Sequence, residues 1–355
     1  VVKPLVAVVF GGASVEREVS VRSARTLLAN IPAAKYALCP VAIDESGSFH
    51  AEEESRRILA EGLGSVKKGG TRFGESLLKG VDVVFPIVHG EAGEDGTLQG
   101  YFETLGLPFV GSGVAASALG MNKAAFRARI REAGLPVVRS MAILRRDWQA
   151  SAAKIEERAE EFSFPVFVKP SNGGSSLGVS KVKTREAMKG AIDLALEYDT
   201  VALVEEAIDA REIECAVLGN EKPRASGCGE IVPGREFYDY EDKYIESGAR
   251  LLIPAPLPPE TAEKVRNLAL EAFVLCGCSG MARVDFFLDR KSGAVYVSEL
   301  NTLPGFTSIS MYPKLWEHAG LPLPALLDEL IRLAFEREKT ARVEVARRRP
   351  PKRLA

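Results

Sequence analysis

The sequence has little of what would assign it at a glance. It carries no marked charge of either sign, because 46 Lys and Arg face 48 Asp and Glu, a net charge of -2 over 355 residues. Such a balance gives no global attraction to nucleic acid or to an anionic membrane, so neither is an expected partner and a small molecule is. There are five cysteines but no Cys-x-x-Cys pair: Cys276 and Cys278 are separated by one residue, and Cys39, Cys215 and Cys228 lie far away. That usage suits thiols kept reduced, hence a cytoplasmic location. No apolar run approaches the ~20 residues needed to span a bilayer. No Gly-x-x-x-x-Gly-Lys-Ser/Thr string occurs, which disfavours a P-loop nucleotide hydrolase. One stretch imitates a signal peptide, Lys3 before Leu5 to Phe10 and then Gly11-Gly12-Ala13-Ser14. It is short and runs into Glu16-Arg17-Glu18, so it reads as a buried first strand.

What is present is an ordinary globular composition, 46% apolar and 26% charged, long enough for two or three domains of roughly 150 residues with a cleft between them. Short apolar strands at Leu5 to Phe10, Tyr36 to Ile43 and Val81 to Val88, with an amphipathic helix from Ser14 to Asn30, predict a parallel sheet covered by helices. From Val137 the texture changes to short strands around a glycine-rich turn, Ser171 to Gly178, followed by a helix from Arg185 to Tyr198 and a strand from Val201 to Glu205. A long polar segment, Pro233 to Gly248, interrupts the strands of the last third; a run of that length inside a domain is usually functional, often a lid. A helix from Pro259 to Cys276, a hairpin of Ala282 to Leu288 with Ala294 to Asn301, and helices over 322–338 follow, and the basic tail beyond reads as a frayed end.

The hairpin carries the most chemistry. Side chains two apart on a strand share a face, so Arg283 pairs with Asp285 and Glu299 with Asn301. The turn then brings Asp285, Glu299 and Asn301 together as three oxygen donors, a set that suits Mg²⁺ when phosphate oxygens fill the remaining positions. The alternative is a solvated outer face, against which stand the apolar neighbours Phe286-Phe287-Leu288 and Val295-Tyr296-Val297. Lys169 precedes the glycine-rich turn, where backbone N–H groups can close around phosphate while the lysine supplies a point charge; Lys123 could add another. Glu205 and Glu206, ending an apolar strand, could accept from an adenine amino group or a ribose. His89 sits at the carboxyl end of a strand, where open α/β sheets bind ligands.

In order along the chain stand Gly11-Gly12-Ala13-Ser14-Val15-Glu16-Arg17-Glu18-Val19-Ser20; His89-Gly90 with Gly93-Glu94-Asp95-Gly96-Thr97-Leu98-Gln99-Gly100; Gly120-Met121-Asn122-Lys123; Lys169-Pro170-Ser171 with Gly174-Ser175-Ser176; Phe237-Tyr238-Asp239-Tyr240 with Lys243-Tyr244; Arg283-Val284-Asp285; and Glu299-Leu300-Asn301-Thr302 with Pro304-Gly305. Together they resemble the D-alanine–D-alanine ligases of the ATP-grasp superfamily. The resemblance implies an α/β fold, α+β in its ATP-binding part, with three domains: an N-terminal parallel α/β domain over 1–120, a central ATP-grasp subdomain over 121–210 and a C-terminal domain with lid and metal site over 211–340, then a tail over 341–355. It implies that Lys123, Lys169, Ser175, Glu205, Glu206, Glu212 and Lys243 contact ATP. Asp285, Glu299 and Asn301 would hold two Mg²⁺ ions, for which Mn²⁺ could substitute. Glu16 would bind the ammonium of a first D-alanine, with His89 lining the site, and Ser310 and Met311 would receive the carboxylate of a second. Arg283 and the Gly305 N–H would stabilise the oxyanion, and the Tyr244 hydroxyl would join a hydrogen-bonded chain with Ser175 and Glu16. The implied product, D-alanyl-D-alanine, belongs to peptidoglycan synthesis, and the implied assembly is a homodimer.

Three rivals remain at this point. Val110-Gly111-Ser112-Gly113-Val114-Ala115-Ala116 approximates a dinucleotide-binding fingerprint, although no acidic strand end follows ~20 positions later. A non-catalytic nucleotide-binding module would not need Arg283 beside three oxygen donors. A relative that makes D-alanyl-D-lactate or D-alanyl-D-serine would share most of these motifs.

Overall fold

A computed structural model of the protein describes residues 2–66, 69–72, 74–159, 161–174, 177–234 and 250–348, with side chains as far as 340. The first part is built on β1 (Leu5–Gly11), β2 (Ala37–Ile43) and β3 (Val83–Pro86), all parallel in the order β2-β1-β3. β1 reads Leu-Val-Ala-Val-Val-Phe-Gly because both of its faces are covered. Val6, Val8 and Phe10 enter one apolar cluster, while Ala7 and Val9 enter another. Helix α1 (Arg17–Asn30) follows β1 directly, its buried stripe of Val21, Ala24 and Leu27 lying on the sheet. The carboxyl ends of β1 and β3 therefore open at one edge, where Ser14, Glu16 and His89 follow.

Helices α2 (Glu52–Glu61), α3 (Thr97–Thr104), α4 (Val114–Met121) and α5 (Lys123–Glu132) lead to the second sheet. It contains β4 (Ser140–Leu144), β5 (Val166–Pro170), β6 (Ser180–Val182) and β7 (Val201–Glu206), antiparallel in the order β4-β7-β5-β6. Alternation decides its two faces. Ile143, Val166, Val168, Ala202 and Val204 pack under α6 (Arg145–Ala159) and α7 (Met188–Tyr198), which leaves Phe167, Lys169, Leu203 and Glu205 on the other face.

The third sheet is antiparallel, in the order β10-β9-β8-β11-β12, from β8 (Ala210–Gly219), β9 (Arg224–Val232), β10 (Arg250–Leu252), β11 (Gly280–Asp289) and β12 (Val295–Asn301). Helix α8 (Pro259–Leu275) covers one face through Val265, Ala269 and Phe273 against Ile213, Val217, Val284, Phe286 and Val297. On the opposite face the lower half, Ala216, Leu218 and Met281, merges with the β1 core through Tyr312 and Trp316 of α9 (Met311–His318) and Leu326, Leu327 and Leu330 of α10 (Leu323–Arg348). The upper half of that face carries the charged residues. The final helix continues to Arg348, past position 341 at which a tail was expected, and 349–355 lie outside the described residues. Among the described residues no helix is long and apolar enough to cross a membrane, and the five cysteines are free thiols.

Candidate active site

The three sheets converge on a cleft of about 330 Å³. The first sheet contributes Glu16 and His89, the start of α5 contributes Lys123, and the glycine-rich turn contributes Gly173 and Gly174. From the third sheet come Glu212, Arg283, Asp285, Glu299 and Asn301, and beyond it Gly305, Ser310 and Met311. Eleven residues singled out from the sequence thus share one wall or another of a single cavity. Ser175, Lys243 and Tyr244, with most of the 233–248 segment, lie outside the described residues.

Register explains the acidic face. Arg283 is paired with Asn301 and Asp285 with Glu299, while Phe286 is opposite Val297, so Ser298 is an extra residue in β12. This bulge resets the alternation. Val295 and Val297 point into the core, yet Glu299 and Asn301 rise on the same face as Arg283 and Asp285. The Arg283 guanidinium grips Asp285 with two parallel bonds of 2.7 Å and lies 3.2 Å from Glu214. Two carboxylates therefore fix the guanidinium at the cleft wall. Asn301 Oδ1 accepts from the Leu303 N–H at 2.9 Å.

Opposite stands a cationic wall. Lys123 Nζ donates to the Gly173 carbonyl at 2.6 Å, and both Lys123 Nζ and Lys169 Nζ lie 3.9 Å from Glu299 Oε1. Asn122 builds the approach, for its Oδ1 accepts from the Ala125 N–H to start α5 and from the Ser171 hydroxyl at 2.9 Å to hold the glycine-rich turn. Glu205 is not at the cleft surface. It is 2% exposed, and Oε2 lies 3.1 Å from Lys169 Nζ and 2.6 Å from Arg127 Nη2. Glu206, the next residue on β7, falls on the other face by alternation and does not line the cleft.

At the first sheet, His89 Nδ1 lies 3.3 Å from Glu94 Oε1 and Nε2 lies 3.4 Å from the Ser23 hydroxyl. Burial pushes the Glu94 carboxyl above its usual range; His89 opposes this, and the nearby Glu16 charge adds to it. Two glycines here lie close to polar side chains of the site. A Cβ on Gly174 would stand 3.0 Å from Glu16 Oε2, and one on Gly305 would stand 2.8 Å from Ser310 Oγ. Ser310 Oγ also accepts from the Thr307 N–H at 2.9 Å, immediately before α9.

Glu94, Arg127 and Glu214 were missed in the sequence, though each had a signal. Glu94 lies in the glycine-rich string after His89, Glu214 is two residues from Glu212 on one strand, and Arg127 is one helical turn after Lys123. The Gly111-Ser112-Gly113 turn is a joint rather than a dinucleotide cradle. Arg337 donates to the carbonyls of Gly111 and Phe109, the Ser112 hydroxyl donates to the Ser279 carbonyl, and a Cβ on Gly280 would lie 3.1 Å from the Gly111 nitrogen.

Comparison with known proteins gives a consistent picture. Residues 5–112 match the family model described as D-ala D-ala ligase N-terminus, and residues 129–332 match D-ala D-ala ligase C-terminus. A D-alanine–D-alanine ligase of Thermoanaerobacter sp. (strain X514) is 46% identical over 94% of this chain and 97% of its own length. Another, from Acetivibrio thermocellus, is 44% identical over 94% and 96%. Among solved structures, the D-alanine-D-alanine ligase from Coxiella burnetii superposes with a TM-score of 0.85 at 37% identity, covering 97% of both chains. The VanG D-Ala:D-Ser ligase from Enterococcus faecalis superposes with a TM-score of 0.83 at 36% identity, covering 94% of this chain and 100% of that one.

Proposed function

The chain belongs to the D-alanine–D-alanine ligase family, and we propose that it joins two D-alanine molecules into D-alanyl-D-alanine at the expense of ATP, for peptidoglycan synthesis in the cytoplasm. The observation that carries this reading is the single cleft in which an anionic pocket at Glu16 and Glu94, a lysine wall at Lys123 and Lys169, and an oxygen-donor face at Asp285, Glu299 and Asn301 meet.

Charge sets the order of events. A carboxylate resists nucleophiles, so an oxygen of the first D-alanine attacks the γ-phosphorus of ATP, ADP departs, and an acyl phosphate forms. Glu16 and Glu94 hold that substrate's ammonium. Lys123 and Lys169 neutralise the phosphates, and with Ser175 and Lys243 they keep the transferring group in line. The amine of the second D-alanine, its carboxylate held at Ser310 and Met311, then attacks the acyl carbon and loses a proton as phosphate leaves. Arg283 and the Gly305 N–H stabilise the oxyanion in between. The donor set fits Mg²⁺ or Mn²⁺: although Arg283 takes both Asp285 oxygens and Leu303 takes one lone pair of Asn301, each oxygen keeps a further lone pair. Asp285, Glu299 and Asn301 would hold two such ions, which when bound supply positive charge against the phosphates. We further assign working units to 1–120, 121–210 and 211–340, a nucleotide base or ribose to Glu212, which lines the cleft where Glu205 and Glu206 do not, and a homodimer as the assembly.

Phosphate release from ATP with D-alanine, L-alanine, D-serine or D-lactate added separately tests the reading. Release driven by D-alanine alone is expected. Release that is indifferent to D-alanine, or that favours L-alanine, would defeat it.

A further inference from the structure

Beneath the lysine wall lies a charged group for which the reaction as written has no use. Arg127, on α5, is 1% exposed. Its Nη2 lies 2.6 Å from Glu205 Oε2 and donates to the carbonyl of Ser298, the bulged residue of β12, at 3.4 Å. Its Nε and Nη1 have no hydrogen-bond partner among the described residues. The same Glu205 oxygen lies 3.1 Å from Lys169 Nζ, so one buried carboxylate serves two cations.

We propose that Arg127 is a positioning residue for ATP: by sharing Glu205 with Lys169 it leaves the Lys169 ammonium available to the phosphates. The proposal rests on the reading that Lys169 contacts phosphate. With Arg127 in place, Lys169 faces a neutral ion pair, because attraction to Glu205 is offset by repulsion from the guanidinium. Without Arg127, Lys169 is the one remaining counter-charge of a buried carboxylate among the described residues. Turning toward a phosphate would then strand that carboxylate, which is the costly way to break a buried pair. The contact to Ser298 adds a second effect, since it ties the lysine wall to the strand bearing Glu299.

The test is Mg·ATP affinity by titration calorimetry for the parent, Arg127→Met, Arg127→Lys, Glu205→Gln and the double variant Arg127→Met/Glu205→Gln. Arg127→Met is expected to bind at least about tenfold more weakly, while the double variant binds within about threefold of Glu205→Gln alone, because removing the Glu205 charge removes what Arg127 offsets. Arg127→Lys keeps the charge and is expected to recover most of the affinity. The KM for D-alanine in Arg127→Met is expected to stay near the parent value, which a merely structural role would not guarantee. Should Arg127→Met fail to fold, the double variant and Arg127→Lys still decide the matter. Parent-like affinity in Arg127→Met, additive losses in the double variant, or no recovery in Arg127→Lys would overturn the proposal. D-alanine-dependent phosphate release by the parent reports separately on the ligase reading: its absence beside the expected affinity pattern would sink that reading alone.

Discussion

Replacing Glu299 with glutamine separates what this carboxylate does for the fold from what it does for the reaction. Its Oε1 lies 3.9 Å from two ammonium groups, Lys123 Nζ and Lys169 Nζ. At an effective dielectric constant of about 20 each pair would be worth about 4 kcal/mol. The Glu299 side chain is 42% exposed, however, and pairs open to water are typically worth roughly 0–1 kcal/mol. Glu299→Gln is therefore expected to lose no more than about 2 kcal/mol of stability, a shift of several degrees in Tm. Turnover is another matter, because an amide supplies a neutral oxygen where a charged ligand would hold the ion against the phosphates. A loss of roughly 10³-fold or more in kcat is expected.

The sign of the effect on nucleotide binding should depend on the metal. In excess chelator, Glu299 repels the phosphates and competes for both lysines, so Glu299→Gln is expected to bind ATP more tightly than the parent. With Mg²⁺ restored the order reverses. Thermal denaturation, phosphate release against Mg²⁺ concentration, and ATP affinity with and without chelator measure the three quantities. A folded variant with near-parent turnover, or one whose ATP affinity shows no such reversal, would refute the reasoning.

Two further outcomes follow from titratable groups. Burial raises the Glu94 carboxyl in the free protein, and an arriving ammonium favours its charged form. Binding of the first D-alanine should release protons, and its affinity should rise with pH through the raised range and then level off. Glu94→Gln should flatten that profile, and a parent profile already flat above the ordinary carboxylate range would count against it. Burial also pushes the Asp44 carboxyl up, but the Ser46 hydroxyl, His50 at 2.8 Å and the Ser46 and Ser48 amides together hold it below its usual range. A lowered folded pKa gives stability that is present above the unfolded value of about 3.9 and lost as pH falls through the folded one. Asp44→Asn should accordingly cost about 1–3 kcal/mol at neutral pH, and urea unfolding should show that cost shrinking on acidification; a cost that grows toward acid would contradict the assignment.

The hairpin shows why some of this site could be read in the sequence. Period-two alternation was enough to place Arg283 beside Asp285 and Glu299 beside Asn301, because the bulge at Ser298 falls just outside that stretch. The excess apolar character of Phe286-Phe287-Leu288 is also resolved: Phe286 and Leu288 pack into the core with Val295 and Val297, while Phe287 lines the cleft. By contrast, β4 and α6 gave no clear signal, since Arg145–Ala159 buries only Trp148, Ile155 and Ala159. Arg127 and Glu205 could not be paired from sequence at all, because their contact exists only once α5 and the second sheet dock.

That docking also bears on the chemistry. A cleft for ATP and its metal must hold cations and carboxylates close together without letting them neutralise one another. Arg283 and Asp285, two apart on one strand, do collapse into a bidentate pair at 2.7 Å. Lys123 and Lys169 belong to α5 and the second sheet, and Glu299 to the third, and there the separation stays at 3.9 Å on both sides. This is the outer limit of an ion pair and longer than a hydrogen bond, so the contact between the lysines and Glu299 is looser than the one between Arg283 and Asp285. Here the opposing charges stand on separate elements, the lysines on α5 and the second sheet and Glu299 on the third. The distance between the lysines and Glu299 is thus a property of how two cores pack, and substitutions at the seam beneath, such as those at Arg127, should reach the nucleotide without touching it.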